Sequence, residues 1–203
     1  MDIKNVLNNL TKRGFKPFYF DNRNDAIDFI INLIPENASV GIGGSMTVKE
    51  LKVNQMLIDR GNVVFTHSLE VPLEQREQIY RLAGSANWYI SPTNALSEEG
   101  EFVNIDGTAN RISALAFGVK NVLYILGTNK IAPDLASAID RARNFAAPPN
   151  ARRCNKNTPC ATSNQCCLCD SDECICNATL ISHHPTKYQE NVYVVIINEA
   201  LGY

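Results

Sequence analysis

Short apolar runs alternate with amphipathic segments along the chain, and this alternation constrains the fold more than any other feature. Apolar residues at helical spacing predict amphipathic helices, and the runs between them predict buried strands. Strands separated by helices form a mainly parallel sheet flanked by helices, so we predict an α/β fold. The predicted strands are 15–20, 38–42, 63–66, 88–90 and 122–126. The predicted helices are 2–13, 24–34, 47–60, 73–83, 110–117 and 134–146.

The end of the chain is predicted to be part of the core. Pro148 and Pro149 should break the last of these helices. Two further strands, 178–181 and 192–197, follow, and the second is a continuous apolar run of the kind found in strands covered on both faces. A chain of 203 residues is long enough for one substantial core, so we predict a single α/β domain over residues 1–203.

Composition excludes several classes of function. The net charge is −2, which gives no reason to expect binding to nucleic acid or to an anionic membrane. No apolar run approaches the ~18 residues that a membrane span requires. The opening residues are typical of an amphipathic helix and not of a signal peptide, so we expect a cytoplasmic protein whose thiols stay reduced.

All seven cysteines lie within an insert at residues 154–177. Four of them, Cys160, Cys166, Cys169 and Cys176, follow the spacing C-x5-C-x2-C-x6-C, which can supply four thiolates to one metal centre. The insert has few apolar residues, so a bound metal would supply the free energy that orders it. Zinc is favoured because four thiolates form a closed tetrahedral site, and an iron–sulfur cluster is the alternative.

Other interpretations of the insert remain open. Cys154, Cys167 and Cys174 leave the ligand set ambiguous, and His183 and His184 just beyond the insert are rival ligands. A loop held by disulfide bonds, as in secreted proteins, is the alternative to metal binding. The odd number of cysteines and the expected compartment argue against it.

A glycine-rich turn, GIGGSMT at 41–47, joins a predicted strand to a predicted helix. Gly43 and Gly44 would let a ligand approach the backbone, and Ser45 and Thr47 could cap the helix or donate hydroxyl hydrogen bonds. The free N–H groups at a helix start favour an anion such as phosphate or carboxylate. The turn is neither a P-loop nor a complete Rossmann motif, and a capped turn without a ligand is the alternative.

A polar segment at 93–111 lies between a predicted strand and a predicted helix, at the carboxyl end of the sheet, where such sheets bind ligands. Asp106 is a candidate general base, and Arg111 is suited to holding a carboxylate or phosphate. Alternatively, the segment is a solvated hairpin in which Asp106 only caps the helix.

Five stretches together resemble one family: VGIGGSMTVKEL at 40–51, TNALSEEGEFVNIDGTANRISALAFGVKNV at 93–122, GTNKIAPDLASAIDRARNFAAPPNARR at 127–153, PCATSNQCCLCDSDECICN at 159–177 and VYVVIINEALGY at 192–203. The chain resembles the LUD-domain proteins, known as lactate utilization proteins, and within them a short single-domain branch that carries the cysteine insert. The sequence departs from that pattern at 163–165, where a glycine is usual, and at 172–174, where Pro-Asp-Arg is usual.

The resemblance implies a fold similar to phosphosugar isomerases and CoA transferases. It implies catalytic carboxylates at Asp106 and Glu98, and metal ligands at Cys160, Cys166, Cys169 and Cys176. The residues expected to hold a small anionic molecule are Gly43, Gly44, Ser45, Thr47, Asn94, Asn110, Arg111 and Lys130.

Three functions are compatible with these features. The resemblance favours an accessory or catalytic component of 2-hydroxy-acid (lactate) metabolism, in which the metal centre is structural or relays electrons to an iron–sulfur partner protein. Fold analogy alone suggests an isomerase or acyl-transfer-like enzyme acting on a phosphorylated or CoA-linked substrate. The third is a non-catalytic metal-binding interaction module. We also expect a homo-oligomer.

Overall fold

A six-stranded parallel sheet forms the centre of the computed structural model, which describes residues 1–67 and 71–203. From one edge to the other its strands are β1 (Lys16–Phe20), β10 (Asn191–Ile197), β7 (Asn121–Gly127), β4 (Trp88–Ser91), β2 (Val40–Ile42) and β3 (Val64–Phe65). Every neighbouring pair in this order is parallel. The predicted α/β fold with a mainly parallel sheet is therefore confirmed.

Both faces of this sheet are buried, which explains its continuous apolar runs. In β7, Leu123 and Ile125 pack into the core on one face, whereas Val122, Tyr124 and Leu126 pack into the core on the other. Side chains alternate between the two faces of a strand, so a strand covered on both sides needs an apolar residue at every position.

Helices cover the first face, and helices together with a second sheet cover the other. The helices are α1 (Ile3–Lys12), α2 (Arg23–Leu33), α3 (Met46–Leu51), α4 (Val53–Asp59), α5 (Leu73–Gly84), α6 (Asn110–Ser113), α7 (Leu135–Arg141), α8 (Ala147–Arg153) and α9 (Pro159–Ser163). α2, α3 and α4 contribute buried residues to the first face, and α1 and α5 contribute to the second. None of the helices in the described ranges is long and apolar enough to cross a bilayer.

The second sheet has four strands in the order β8 (Ile131–Ala132), β5 (Ala95–Ser97), β6 (Phe102–Asp106) and β9 (Ala178–Ser182). It is mixed, since β5 runs parallel to β8 but antiparallel to β6. α7 packs on it through buried Ala138 and partly buried Leu135 and Ile139. The polar segment after β4 is consequently a buried part of the fold, with Ser97, Glu101 and Asn104 almost inaccessible to solvent.

Two predicted helices differ from the structure. The segment predicted as one helix over 47–60 is divided at Lys52, whose left-handed φ of 55° ends α3 and starts α4. Pro148 and Pro149 do not break the helix that contains them. A π-helical turn, Ala142–Ala146, precedes them, and both lie in the first turn of α8, where a missing N–H leaves few hydrogen bonds unmade.

Candidate functional site

A cavity of about 490 Å³ opens at the carboxyl edge of the six-stranded sheet. The segments that follow β2, β4 and β7 all contribute to its wall, as expected for open parallel sheets. The predicted site residues in its lining are Gly44, Ser45, Thr47, Asn94, Asp106, Asn110, Arg111 and Lys130. The structure thus brings together eight predicted residues from four separate parts of the chain.

Arg111 is held rigidly at the first turn of α6, with only 7% of its surface exposed. Its Nη2 donates to Asn94 Oδ1 at 2.8 Å and to the Ile105 carbonyl at 2.8 Å. Its Nε is inaccessible to solvent and has no hydrogen-bond partner among the described residues. Both Nη2 hydrogens are therefore engaged by the protein, which leaves Nη1 as the donor that could contact a ligand oxygen.

Asp106 connects β6 to the helix that carries Arg111. Its Oδ2 accepts from the Ile112 N–H at 3.0 Å, and its Oδ1 lies 3.4 Å from Arg111 Nη2. The residue at the helix start, Ala109, has no side chain able to cap, so the Asp106 carboxylate satisfies an otherwise free N–H. Asp106 therefore holds the helix start and also lines the cavity.

Lys130 is a buried amine in the cavity wall, with 4% of its surface exposed. Its Nζ donates to Thr47 Oγ1 at 2.9 Å and to the Thr93 carbonyl at 3.2 Å. Burial, together with the charges of Arg141 and Arg111, lowers the pKa of Lys130 to about 7. Lys130 is consequently a mixture of charged and neutral forms near neutral pH.

The two glycines of the glycine-rich turn differ, because Gly44 lines the cavity whereas Gly43, also predicted to bind the anion, is buried and does not line it. A Cβ on Gly43 would lie 2.8 Å from the Tyr89 hydroxyl, so this position permits a close approach inside the protein. A Cβ on exposed Gly44 would meet only the His67 ring, at 3.6 Å. Ser45 Oγ caps the six-residue α3 by accepting from the Val48 N–H at 3.0 Å. Because that N–H is already satisfied, cationic side chains are the stronger candidates for anion contact.

Glu98 does not lie with the other predicted residues. It is absent from the cavity lining, and its carboxylate lies 3.8 Å from the amino group of Met1. Its backbone carbonyl accepts from Asn9 of α1 at 2.9 Å. Glu98 therefore contacts the amino-terminal helix, and Asp106 is the predicted carboxylate that lines the cavity.

Sequence reasoning missed several residues of the cavity wall, among them His67, Arg76, Tyr80, Arg153 and Tyr203. The His67 and Tyr80 rings meet edge to face, with centroids 4.8 Å apart. Burial lowers the pKa of His67, and its Nδ1 has no partner within the described ranges. His67 lies just after the short strand β3, where no motif marks it. Its position past a strand end was the only available signal.

The cysteine insert forms a second, smaller cavity of about 180 Å³. Six thiol-bearing residues line it: Cys160, Cys166, Cys167, Cys169, Cys174 and Cys176. Among the described residues, no three His, Cys, Asp or Glu side chains already stand in an arrangement that would hold a metal ion. Cys154 lines the larger cavity instead, and Cys174 and Ile175 line both. His184 contacts the Arg13 carbonyl at 3.0 Å and is not part of this cavity.

Comparison with known proteins identifies the family. A crystal structure of a DUF162 family protein from Deinococcus radiodurans has the same fold, with a TM-score of 0.54 at 7% identity over 96% of this chain and 95% of that chain. A crystal structure of eIF2B beta from Chaetomium thermophilum aligns less well, with a TM-score of 0.38 at 12% identity over 57% of this chain and 44% of that chain. A search of curated proteins found no match. The LUD domain model matches residues 3–197, almost the whole chain, so the protein belongs to the LUD-domain family.

Proposed function

We propose that the protein binds a small 2-hydroxy or 2-oxo acid, such as lactate or pyruvate, as a component of 2-hydroxy-acid metabolism. The observation that carries this proposal is Arg111, a buried guanidinium that lines the cavity and is held there through Nη2. Its permanent positive charge suits a carboxylate, which accepts a charge-assisted hydrogen bond from it.

The charge of the cavity wall supports an anionic ligand. Its cationic side chains are Arg76, Arg111, Lys130, Arg153 and Lys156, against the anionic side chains Asp106, Asp172 and Glu173. Without Lys130, four cationic side chains stand against three carboxylates in this wall. The wall therefore has a positive excess even when Lys130 is neutral, and a positive wall attracts small anions.

Asp106 is the residue we assign to the substrate's hydroxyl group. Its carboxylate lies 3.4 Å from Arg111, so a ligand whose carboxylate binds the guanidinium brings its neighbouring hydroxyl toward Asp106. Such a carboxylate can accept a hydrogen bond from the hydroxyl or take its proton. His67 follows β3, which lies on the other side of β2 from β4 and its polar segment. It also lines the cavity and is a second candidate to accept the hydrogen bond of the hydroxyl.

The size of the cavity favours a second candidate function. About 490 Å³ is more space than a three-carbon acid fills, and it falls in the range of sites for larger ligands. An isomerase or acyl-transfer-like enzyme acting on a phosphorylated or CoA-linked substrate would use this additional space and the same cationic wall. The binding experiment below separates the two candidates.

We further propose one metal centre in the smaller cavity, held by Cys160, Cys166, Cys169 and Cys176. All four residues line this cavity, and thiolates are the donors that zinc and iron–sulfur clusters share. Zinc suits a closed tetrahedral set of four thiolates. The volume of about 180 Å³ exceeds the needs of a single ion and leaves an iron–sulfur cluster as the alternative. Bound there, the centre would order the insert or exchange electrons.

Ligand-dependent thermal stability tests the carboxylate site. Lactate and pyruvate should raise the melting temperature of the wild-type protein, since a ligand at a hundred times its Kd stabilises the folded state by about 2.7 kcal/mol. Arg111→Gln should abolish this response. The matched control is Arg81→Gln, because Arg81 is an exposed arginine of α5 that pairs with Glu77 away from the cavity.

The pattern of ligands decides between the candidates. Stabilisation by lactate and pyruvate, lost in Arg111→Gln and kept in Arg81→Gln, supports the proposed function. Stabilisation by phosphate esters or coenzyme A without any effect of the small acids supports the second candidate. Equal responses in both variants would contradict the role of Arg111.

A further inference from the structure

Lys130 has surroundings that the binding of a carboxylate does not require. It is 96% inaccessible to solvent, since only 4% of its surface is exposed, yet it lines the larger cavity. Its two hydrogen-bond acceptors are neutral, the Thr47 hydroxyl and the Thr93 carbonyl. No carboxylate of the described ranges forms an ion pair with it.

The charges nearest to Lys130 disfavour its ammonium form. Burial is the largest cause of its lowered pKa, and the cations Arg141 and Arg111 act in the same direction. Glu50 opposes them with the smallest effect of the four. A buried amine that has no anionic partner and whose ammonium form two guanidinium charges disfavour can act as a neutral nucleophile.

We propose that Lys130 forms a Schiff base with the carbonyl carbon of a 2-oxo acid held in this cavity. The inference rests on the proposed function, in which Arg111 binds the carboxylate of the same molecule. In a 2-oxo acid the keto group is adjacent to the carboxylate. A ligand whose carboxylate binds Arg111 would therefore present its keto carbon to Lys130. Both side chains line the cavity, and the Arg111 charge acts on Lys130.

The chemical step needs no oxidant, reductant or further reactant. The Nζ lone pair of neutral Lys130 forms a bond to the carbonyl carbon, and the π electron pair of the carbonyl moves to its oxygen. A proton passes from Nζ to that oxygen, and the Thr47 hydroxyl, 2.9 Å from Nζ, is placed to relay it. The resulting carbinolamine loses the hydroxyl together with the second Nζ proton as water. One amine and one carbonyl thus become one imine and one water.

Reductive trapping tests this inference. The wild-type protein is incubated with pyruvate and sodium cyanoborohydride, and the modified lysine is identified by peptide mass mapping. We expect one reductively aminated pyruvate on Lys130. Lys156 is an internal control, because it lines the same cavity but is more exposed and paired with Glu173. Lactate has a hydroxyl in place of the keto group and should give no adduct.

Two variants complete the experiment. Lys130→Arg keeps a cation but removes the nucleophile, so it should give no specific adduct. Lys120→Arg alters an exposed lysine paired with Glu190 and should be labelled like the wild type. If lactate or pyruvate stabilises the wild-type protein but pyruvate leaves Lys130 unmodified, this inference is overturned and the proposed function stands. If neither acid stabilises the protein and pyruvate does not label it, the proposed function fails and the inference fails with it.

Discussion

Asn94 and Arg111 are joined by a hydrogen bond of 2.8 Å between Oδ1 and Nη2. The same Oδ1 accepts from the Ile105 N–H at 2.9 Å. One amide oxygen therefore ties the loop after β4 to both β6 and α6, and it sets the position of the guanidinium in the cavity wall.

Removing this oxygen should destabilise the fold and weaken the ligand response together. Asn94→Ala leaves two donors without their acceptor, and we expect a loss of about 1–3 kcal/mol in the free energy of unfolding. Asn94→Asp keeps the acceptor and should retain most of the stability, but its negative charge should still weaken lactate binding. Chemical denaturation and calorimetry measure the two effects. Equal stability of the two variants would contradict the bridging role.

Asp106 should matter more for ligands that carry a hydroxyl. Wild-type protein should bind lactate more tightly than propionate, which has the same carboxylate but no hydroxyl. Asp106→Asn should narrow this difference, because a neutral acceptor makes a weaker hydrogen bond than a carboxylate. Its melting temperature should fall, because Asn can still accept from the Ile112 N–H but leaves the buried Arg111 guanidinium without its carboxylate. An unchanged preference for lactate would leave Asp106 with only its capping role.

The two glycines of the turn should differ in how much stability the same substitution costs. Gly43→Ala places a methyl group 2.8 Å from the hydroxyl of fully buried Tyr89, and overpacking of this kind costs about 1–3 kcal/mol. Gly44→Ala meets only ordinary contact and should change stability by less than about 0.5 kcal/mol. Tyr89→Phe in the Gly43→Ala background removes the contacting oxygen and should restore much of the loss in thermal denaturation.

Metal loading should distinguish the predicted ligands from the additional cysteines. Anaerobically purified wild-type protein should contain one metal centre, with zinc alone or with iron and acid-labile sulfide in matching amounts. Cys169→Ser should abolish loading, whereas Cys154→Ser should not, because Cys154 lines the other cavity. A fully loaded Cys169→Ser protein would reject the ligand assignment.

Lys130 should make stability depend on alkaline pH. Its pKa falls from 10.5 to about 7 on folding, so between these values the unfolded chain binds a proton that the folded protein does not. Raising the pH across this window therefore favours the folded state, by up to about 1.4 kcal/mol per pH unit. The unfolding free energy of the wild type minus that of Lys130→Met should therefore rise from pH 7 to pH 9. It should be constant below pH 6, where both states are protonated.

The parallel sheet could be predicted from the sequence because its signal is local. A strand such as 192–197 must be apolar at every position when both of its faces are covered, and that pattern is visible without any partner strand. The second sheet could not be predicted in the same way. β5 and β8 have three and two residues, and β6 pairs with β9 across more than seventy residues of chain that include the whole cysteine insert.

In the candidate site too, residues with a local sequence signal could be predicted, and residues placed by distant contacts could not. Gly44, Asp106 and Arg111 lie in motifs that differ from ordinary helix and strand patterns, and they could be predicted. His67 is a single histidine after a two-residue strand, and only the sheet order brings it to the glycine-rich turn. The buried state of Lys130 also depends on distant residues. Gly202, which has a φ of +60°, packs against Lys130 and Thr47. A Cβ added to it would lie only 2.6 Å from Thr47 Oγ1 and 3.4 Å from Lys130 Nζ.

Cys174 and Ile175 line the larger and the smaller cavity at once, so the two are separated by a shared wall. If a metal centre in one cavity moves this wall, it changes the affinity of the other cavity for its acid. Thermodynamic linkage then requires the acid to change the metal affinity by the same factor. A binding constant measured on metal-free protein would describe only one of the four binding equilibria that join these states. The metal content of each preparation therefore has to be measured together with its affinity for the acid.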